Sequence, residues 1–94
     1  MSDTTITVQR ITDLGEEPYT LREPIPVEIE ATEDGFVAGF VEGLVYASGD
    51  TREEAVDELT LLTLAMFEAL RSHQGELGAA ASEQFRVLSQ HIGA

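Results

Sequence analysis

The side chains able to do chemistry are few in kind, and most are acids. Asp and Glu number 18 against five cations in 94 residues, a formal net charge of −13. Cysteine is absent, which removes thiolate nucleophiles, disulfides and cysteine-based zinc sites together. The two histidines, His73 and His91, are far apart and show no HxxxH or HExxH spacing. His73 falls near the end of an expected helix, where an imidazole suits the dipole, so capping or packing is favoured over metal or base work. Ser48, Ser72 and Ser89 supply hydroxyls, but nothing around them resembles a nucleophile elbow. There is no Gly-x-Gly-x-x-Gly or P-loop; Gly35, Gly39 and Gly43 read as turn and strand glycines. One carboxylate pair remains, Glu28 and Glu30, two apart and hence on one face of a strand. Two-metal hydrolysis needs several carboxylates converging on the ions, and a single strand cannot close such a site. The sequence therefore predicts no catalytic residue, no cofactor and no metal site. Glu28 and Glu30 are read as an exposed pair, the preferred acids for a partner.

Composition narrows the partner. All five cations are arginines, Arg10, Arg22, Arg52, Arg71 and Arg86. Nucleic-acid binding displaces counterions with cations, and this chain repels phosphate. An anionic membrane surface is disfavoured for the same reason. No apolar run approaches the ~18 residues of a spanning helix, and MSDTTITVQR lacks the basic start and apolar segment of a signal peptide. The expected compartment is cytoplasmic. An apolar content of 43% is too high for disorder, so residues 1–94 are read as one domain. Glu16-Glu17 and Asp57-Glu58 read as solvated. The summed charge exceeds the ~2–8 that solubility asks of a small domain, which points to a basic partner.

The elements that must position these groups follow from pattern. Residues 4–11, with Ile6 and Val8 two apart, predict a strand. TDLGEEPYTLREP is a long connection, either an ordered crossover or a hinge. Val27, Ile29 and Ala31 alternate with Glu28 and Glu30, a half-buried strand. Asp34-Gly35 makes a hairpin turn into FVAGFV, with Phe36, Ala38 and Phe40 on one face. Glu42-Gly43 turns into LVYA, so residues 25–48 form a three-stranded antiparallel meander. Thr51 and Glu54 fit a capping box, the hydroxyl accepting from the Glu54 amide and the carboxylate returning to the Thr51 amide. The helix runs over 51–73. Its buried stripe is read as Ala55, Leu59, Leu62, Met66 and Leu70. Leu61 and Leu64 fall on the charged flank with Glu54, Asp57 and Glu68, which implies a second contact surface. Residues 79–92 form a second helix with Ala81, Phe85, Leu88 and Ile92 inward and Val87 away. The fold class is α+β: the meander and an N-terminal strand packed on one long helix, with a C-terminal helix.

The stretch VEIEATEDGFVAGFVEGLVYASGDTREEA, and above all Gly49-Asp50-Thr51-Arg52-Glu53-Glu54-Ala55, resembles the HicB-like antitoxin family across residues 25–70. The resemblance implies a partial RNase H-like fold and binding to HicA-type toxins, small basic RNA-cleaving proteins. The chain departs from the family at Val41, where the pattern has proline, and about 20 residues after the long helix with one arginine do not make a DNA-binding module. Operator binding is not carried over; a stand-alone form is expected.

The leading functional expectation is an antitoxin-type module masking a basic toxin without catalysis. The alternatives are an orphan regulatory or scaffold domain of the same fold, and an enzyme of RNase H ancestry. A homodimer is expected through Leu61 and Leu64, with the N-terminal strand pairing in its own subunit or in a neighbour.

Overall fold

The computed structural model describes residues 6–15 and 19–93. Thr4 and Thr5 of the first expected strand, and the Glu16-Glu17 pair, lie outside the described residues. The elements are β1 (Ile6–Ile11), β2 (Thr20–Leu21), β3 (Ile25–Thr32), β4 (Gly35–Phe40), β5 (Val45–Gly49), α1 (Arg52–Ser72), a 3-10 turn (Gln74–Glu76), α2 (Ala79–His91) and β6 (Ile92–Gly93). The architecture is α+β, as expected. A four-stranded antiparallel sheet in the order β1-β3-β4-β5 packs against α1. β1 fills the fourth-strand place in its own chain, Ile6 opposite Glu30 and Ile11 opposite Ile25. No described helix is long and apolar enough to cross a membrane.

β3 buries Ile25, Val27 and Ile29, and β4 and β5 add Ala38, Phe40, Val45 and Ala47. The β3–β4 loop is Glu33-Asp34, but the positive φ sits at Gly35, +143°, the first residue of β4. A Cβ there would run into the Gly49 carbonyl of β5, so glycine serves both the turn and the close approach. In the β4–β5 turn the left-handed residue is Leu44, not Gly43, and the Leu44 amide donates to the Val41 carbonyl at 3.2 Å.

Thr51 caps α1, its hydroxyl accepting from the Glu54 amide at 3.0 Å. The return arm differs from the expected box: the Glu54 carboxylate reaches the Asp50 amide at 3.4 Å, one residue outside the cap. Thr51 is extended there (φ −121°, ψ 163°).

The buried side of α1 is rotated from the expected stripe. Ala55, Leu59 and Leu70 are inward, together with Thr63, Leu64 and Phe67, while Leu62 and Met66 face outward. Two causes act together. The Thr63 hydroxyl donates to the Leu59 carbonyl at 2.7 Å, so a polar residue enters the core with its hydrogen bond made. Phe67 stacks on Phe85 of α2 at 5.7 Å and meets Tyr19 edge-on at 6.1 Å, drawing that flank inward. Leu64 is consequently only 5% exposed, in one cluster with Leu14 of the connection. It is core, not an oligomer contact. Leu61, by contrast, is exposed. Val87 is also buried, against the expectation that it faces away.

The described parts of the long connection are an ordered crossover. β2 pairs with β6, Leu21 opposite Ile92, and the Arg22 amide donates to the His91 carbonyl at 2.6 Å. The His91 ring lies edge-on to Phe40 at 5.2 Å. Its Nδ1 sits 3.1 Å from the Pro24 carbonyl and 3.2 Å from that of Glu23. Carbonyls only accept, so this nitrogen carries the proton. His91 is a packing residue that ties the end of α2 to the start of β3. His73 caps α1, its amide donating to the Leu70 carbonyl at 3.2 Å.

Candidate functional site

α1 covers one face of the sheet, and alternate strand residues build the other. Residues opposite one another in an antiparallel pair point to the same side, so the pairing register defines the open face row by row. One row is Ile6, Glu30, Val37 and Ser48; the next is Val8, Glu28, Gly39 and Tyr46. Glu28 and Glu30 thus hold the two central places, as the spacing implies. Apolar groups surround them: Ile6 is 54% exposed, Val8 68% and Tyr46 53%, with Val41 beside them at the turn.

The shape of this face depends on Gly39. A Cβ at Gly39 would lie 2.7 Å from Cδ1 of Tyr46, so the ring is laid over the bare backbone of the neighbouring strand. The result is a shallow depression of about 240 Å³, floored by Gly39 and Val37 and edged by Ile6, Tyr46 and the two carboxylates. The Gly39 signal in the sequence was ambiguous between a bulge and a close approach; the structure shows the approach. Ile6, Val8 and Tyr46 join the site without having been singled out. Ile6 and Val8 read as ordinary strand alternation, and only the β1–β3 register shows that their side faces away from α1.

Among the described residues no ion pair involves Glu28 or Glu30, although Arg10, opposite Pro26, stands in the next row of the same face. The ion pairs among the described residues are Arg71–Glu68, His73–Glu76 and Arg86–Glu83, each between residues three apart in sequence. Arg52 stacks over the Phe36 ring at 5.5 Å. Among the described residues no three His, Asp or Glu side chains come together in a way that would hold a metal ion. The open face offers two carboxylates able to accept charge-assisted hydrogen bonds, within an apolar frame that lowers the local dielectric.

The structure defines a small α+β domain with an open, acid-centred sheet face. No family model matches the chain, and no curated protein or solved structure matches it either.

Proposed function

We propose that the chain is a protein-binding module of the antitoxin type, covering a small basic partner with the open face of its sheet and performing no catalysis. The observation that carries this reading is the central Glu28 and Glu30 pair, which takes part in no described ion pair, inside an apolar frame. A guanidinium or ammonium of the partner would meet the carboxylates while its apolar neighbours cover Ile6, Val8 and Tyr46. The net charge of −13 steers such a partner toward the domain. The resemblance of residues 25–70 to HicB-like antitoxins supports a HicA-type toxin as that partner, a basic protein encoded by an adjacent reading frame.

The test is co-expression with the adjacent basic protein. The expected result is a complex that weakens as salt rises, because exposed charges are screened over about 8–10 Å. Exchanging both acids, Glu28→Lys with Glu30→Lys, should abolish it without altering the unfolding midpoint. A complex indifferent to both substitutions would place the contact elsewhere. The absence of any adjacent basic frame would favour the orphan regulatory domain. Incubation of the chain alone with RNA, DNA or a hybrid and Mg²⁺ or Mn²⁺ should leave the nucleic acid intact.

A further inference from the structure

The sheet has two edges, and they are guarded differently. β1 carries Arg10, whereas β5 reads Val-Tyr-Ala-Ser-Gly, without a charge or a proline. Its pairing with β4 runs unbroken from Phe36 opposite Gly49 to Phe40 opposite Val45, so no bulge turns the edge away. No described strand pairs on the other side of β5, and no described loop backbone bonds to it. A run of unpaired amides and carbonyls is a template for one more strand.

α1 turns this edge into a groove. A Cβ on Gly49 would lie 2.8 Å from Cβ of Glu54, so the end of β5 touches the first turn of the helix. From there α1 packs back along β5. The strand from Gly49 to Val45 covers about 13 Å, and the helix from Glu54 to Leu62 about 12 Å, so the two keep pace. A groove of about 580 Å³ lies between them, lined by Glu54, Asp57, Glu58, Leu61 and Leu62 and by consecutive residues 46–49 of the strand. Consecutive strand residues belong to both faces, so the groove opens on the edge itself. Its acids stand at the Gly49 end and its leucines toward Val45. We propose that this groove takes an extended cationic segment of another protein, which adds a fifth strand beside β5.

Main-chain bonds to the edge would hold the segment, and every second side chain would lean over α1. Charge selects the occupant. Glu54, Asp57 and Glu58 are exposed, none belongs to a described ion pair, and no described cation lines the groove. Arg52, the nearest in sequence, is turned over the Phe36 ring. The Glu54 carboxylate reaches the Asp50 amide, which leaves Asp57 and Glu58 as the pair without a described hydrogen bond. A second copy of this chain would bring the same three acids to the groove, like charge against like. Arginine or lysine suits the acidic end, and an apolar side chain suits Leu61 and Leu62.

The experiment uses the full chain and a synthetic probe, so its outcome does not depend on the partner proposed for the open face. The probe is an acetylated, amidated heptapeptide alternating arginine and valine. It reads the same from either end and so serves a parallel or an antiparallel strand. It should bind in fluorescence anisotropy at physiological salt. A copy N-methylated at every residue keeps the charge but cannot donate to β5, and should bind about tenfold more weakly or worse. Hydrogen exchange should slow at β5 amides on binding, and not at those of β1. Asp57→Lys with Glu58→Lys, both at exposed positions, should weaken binding about tenfold or more with an unchanged circular dichroism spectrum. Glu28→Lys with Glu30→Lys alters the net charge equally and should change binding by no more than about threefold, since it acts only at long range. A probe that does not bind would overturn the proposal. So would equal binding of the N-methylated copy, protection at β1 instead of β5, or equal losses in the two double variants.

Discussion

The two faces of the sheet are made from the same strands, one residue out of step, and they are used in opposite ways. On the α1 side Val27, Ile29, Ala38 and Phe40 are sealed and joined by residues from distant parts of the chain, Leu14, Leu59 and Leu88 among them. On the open side the same strands place Glu28, Glu30, Val37 and Tyr46, flanked by Ile6 and Val8. β1 makes the contrast plainest. It sends Ile11 to the core and turns Ile6 and Val8 outward, while Thr7 and Gln9 share the inner side with Ile11. An edge strand recruited only to extend the core would show the reverse alternation. Two of its three apolar side chains, Ile6 and Val8, therefore do nothing for the core, and the proposed partner would cover them.

Truncating one side chain on each face separates the two roles. Ile29→Ala removes a 1%-exposed side chain from the centre of the core and should cost about 2–5 kcal/mol in urea unfolding. Val8→Ala, on the same pair of strands but facing out, should stay within about 0.5 kcal/mol of wild type. Similar losses at the two sites would mean that the open face is structural after all.

The next effect concerns what keeps the faces in register. A slip of one residue would send Glu28 and Glu30 into the core, and the β3–β4 hairpin prevents it. Gly35→Ala meets a positive φ and the Gly49 carbonyl at once, and should cost about 1–3 kcal/mol. A smaller loss, ~1 kcal/mol, is expected for Thr51→Ala, which removes the hydroxyl that accepts from the Glu54 amide where α1 enters over the core face. Thr51→Ser should be nearly silent. An alanine variant as stable as wild type would show that the cap does not hold α1 in place.

Much of this was legible in the sequence because short-range rules decide it. Alternation marked β3, with Glu28 and Glu30 on its polar side, and Thr51 with Glu54 marked the start of α1. What stayed hidden depends on distant chain. The inner side of α1 is set by Tyr19 and Phe85 closing on Phe67, neither of which is near it in sequence. That closure moved Leu64 from an expected contact surface into the core and left Leu62 and Met66 outside. Thr63 is buried although polar, because its hydroxyl finds a carbonyl on its own helix. The β2–β6 pair is two residues on each side, too short for any periodicity to show. The open face was half visible: its carboxylates followed from spacing, but its apolar frame needed the register of β1 on β3.

The smallest expected effect lies where the connection is tied to α1, at the border of the sealed side. Tyr19 donates its hydroxyl to Glu68 Oε2 at 3.0 Å, and Arg71 Nη2 lies 2.9 Å from each carboxylate oxygen. The Arg71 guanidinium, with a further contribution from the Tyr19 hydroxyl, holds the Glu68 carboxyl below its ordinary value of 4.5 against a weaker opposing effect of burial. A carboxyl depressed in the folded state favours folding fully above that ordinary value, and the contribution is lost as pH falls through the lower folded one. Because Glu68 and Arg71 are both about two-fifths exposed, at 41% and 43%, water and salt screen the pair and the effect is small. Glu68→Gln should therefore have a slightly lower urea midpoint than wild type at pH 7, and the two should converge as pH drops below 4.5. Tyr19→Phe removes the second hydrogen bond to this carboxylate and leaves the Arg71 pair, so it should narrow the acid-sensitive part of the difference without abolishing it. A gap that widens in acid would reverse the sign, and would mean that the ionised carboxylate opposes the docking of the connection on α1.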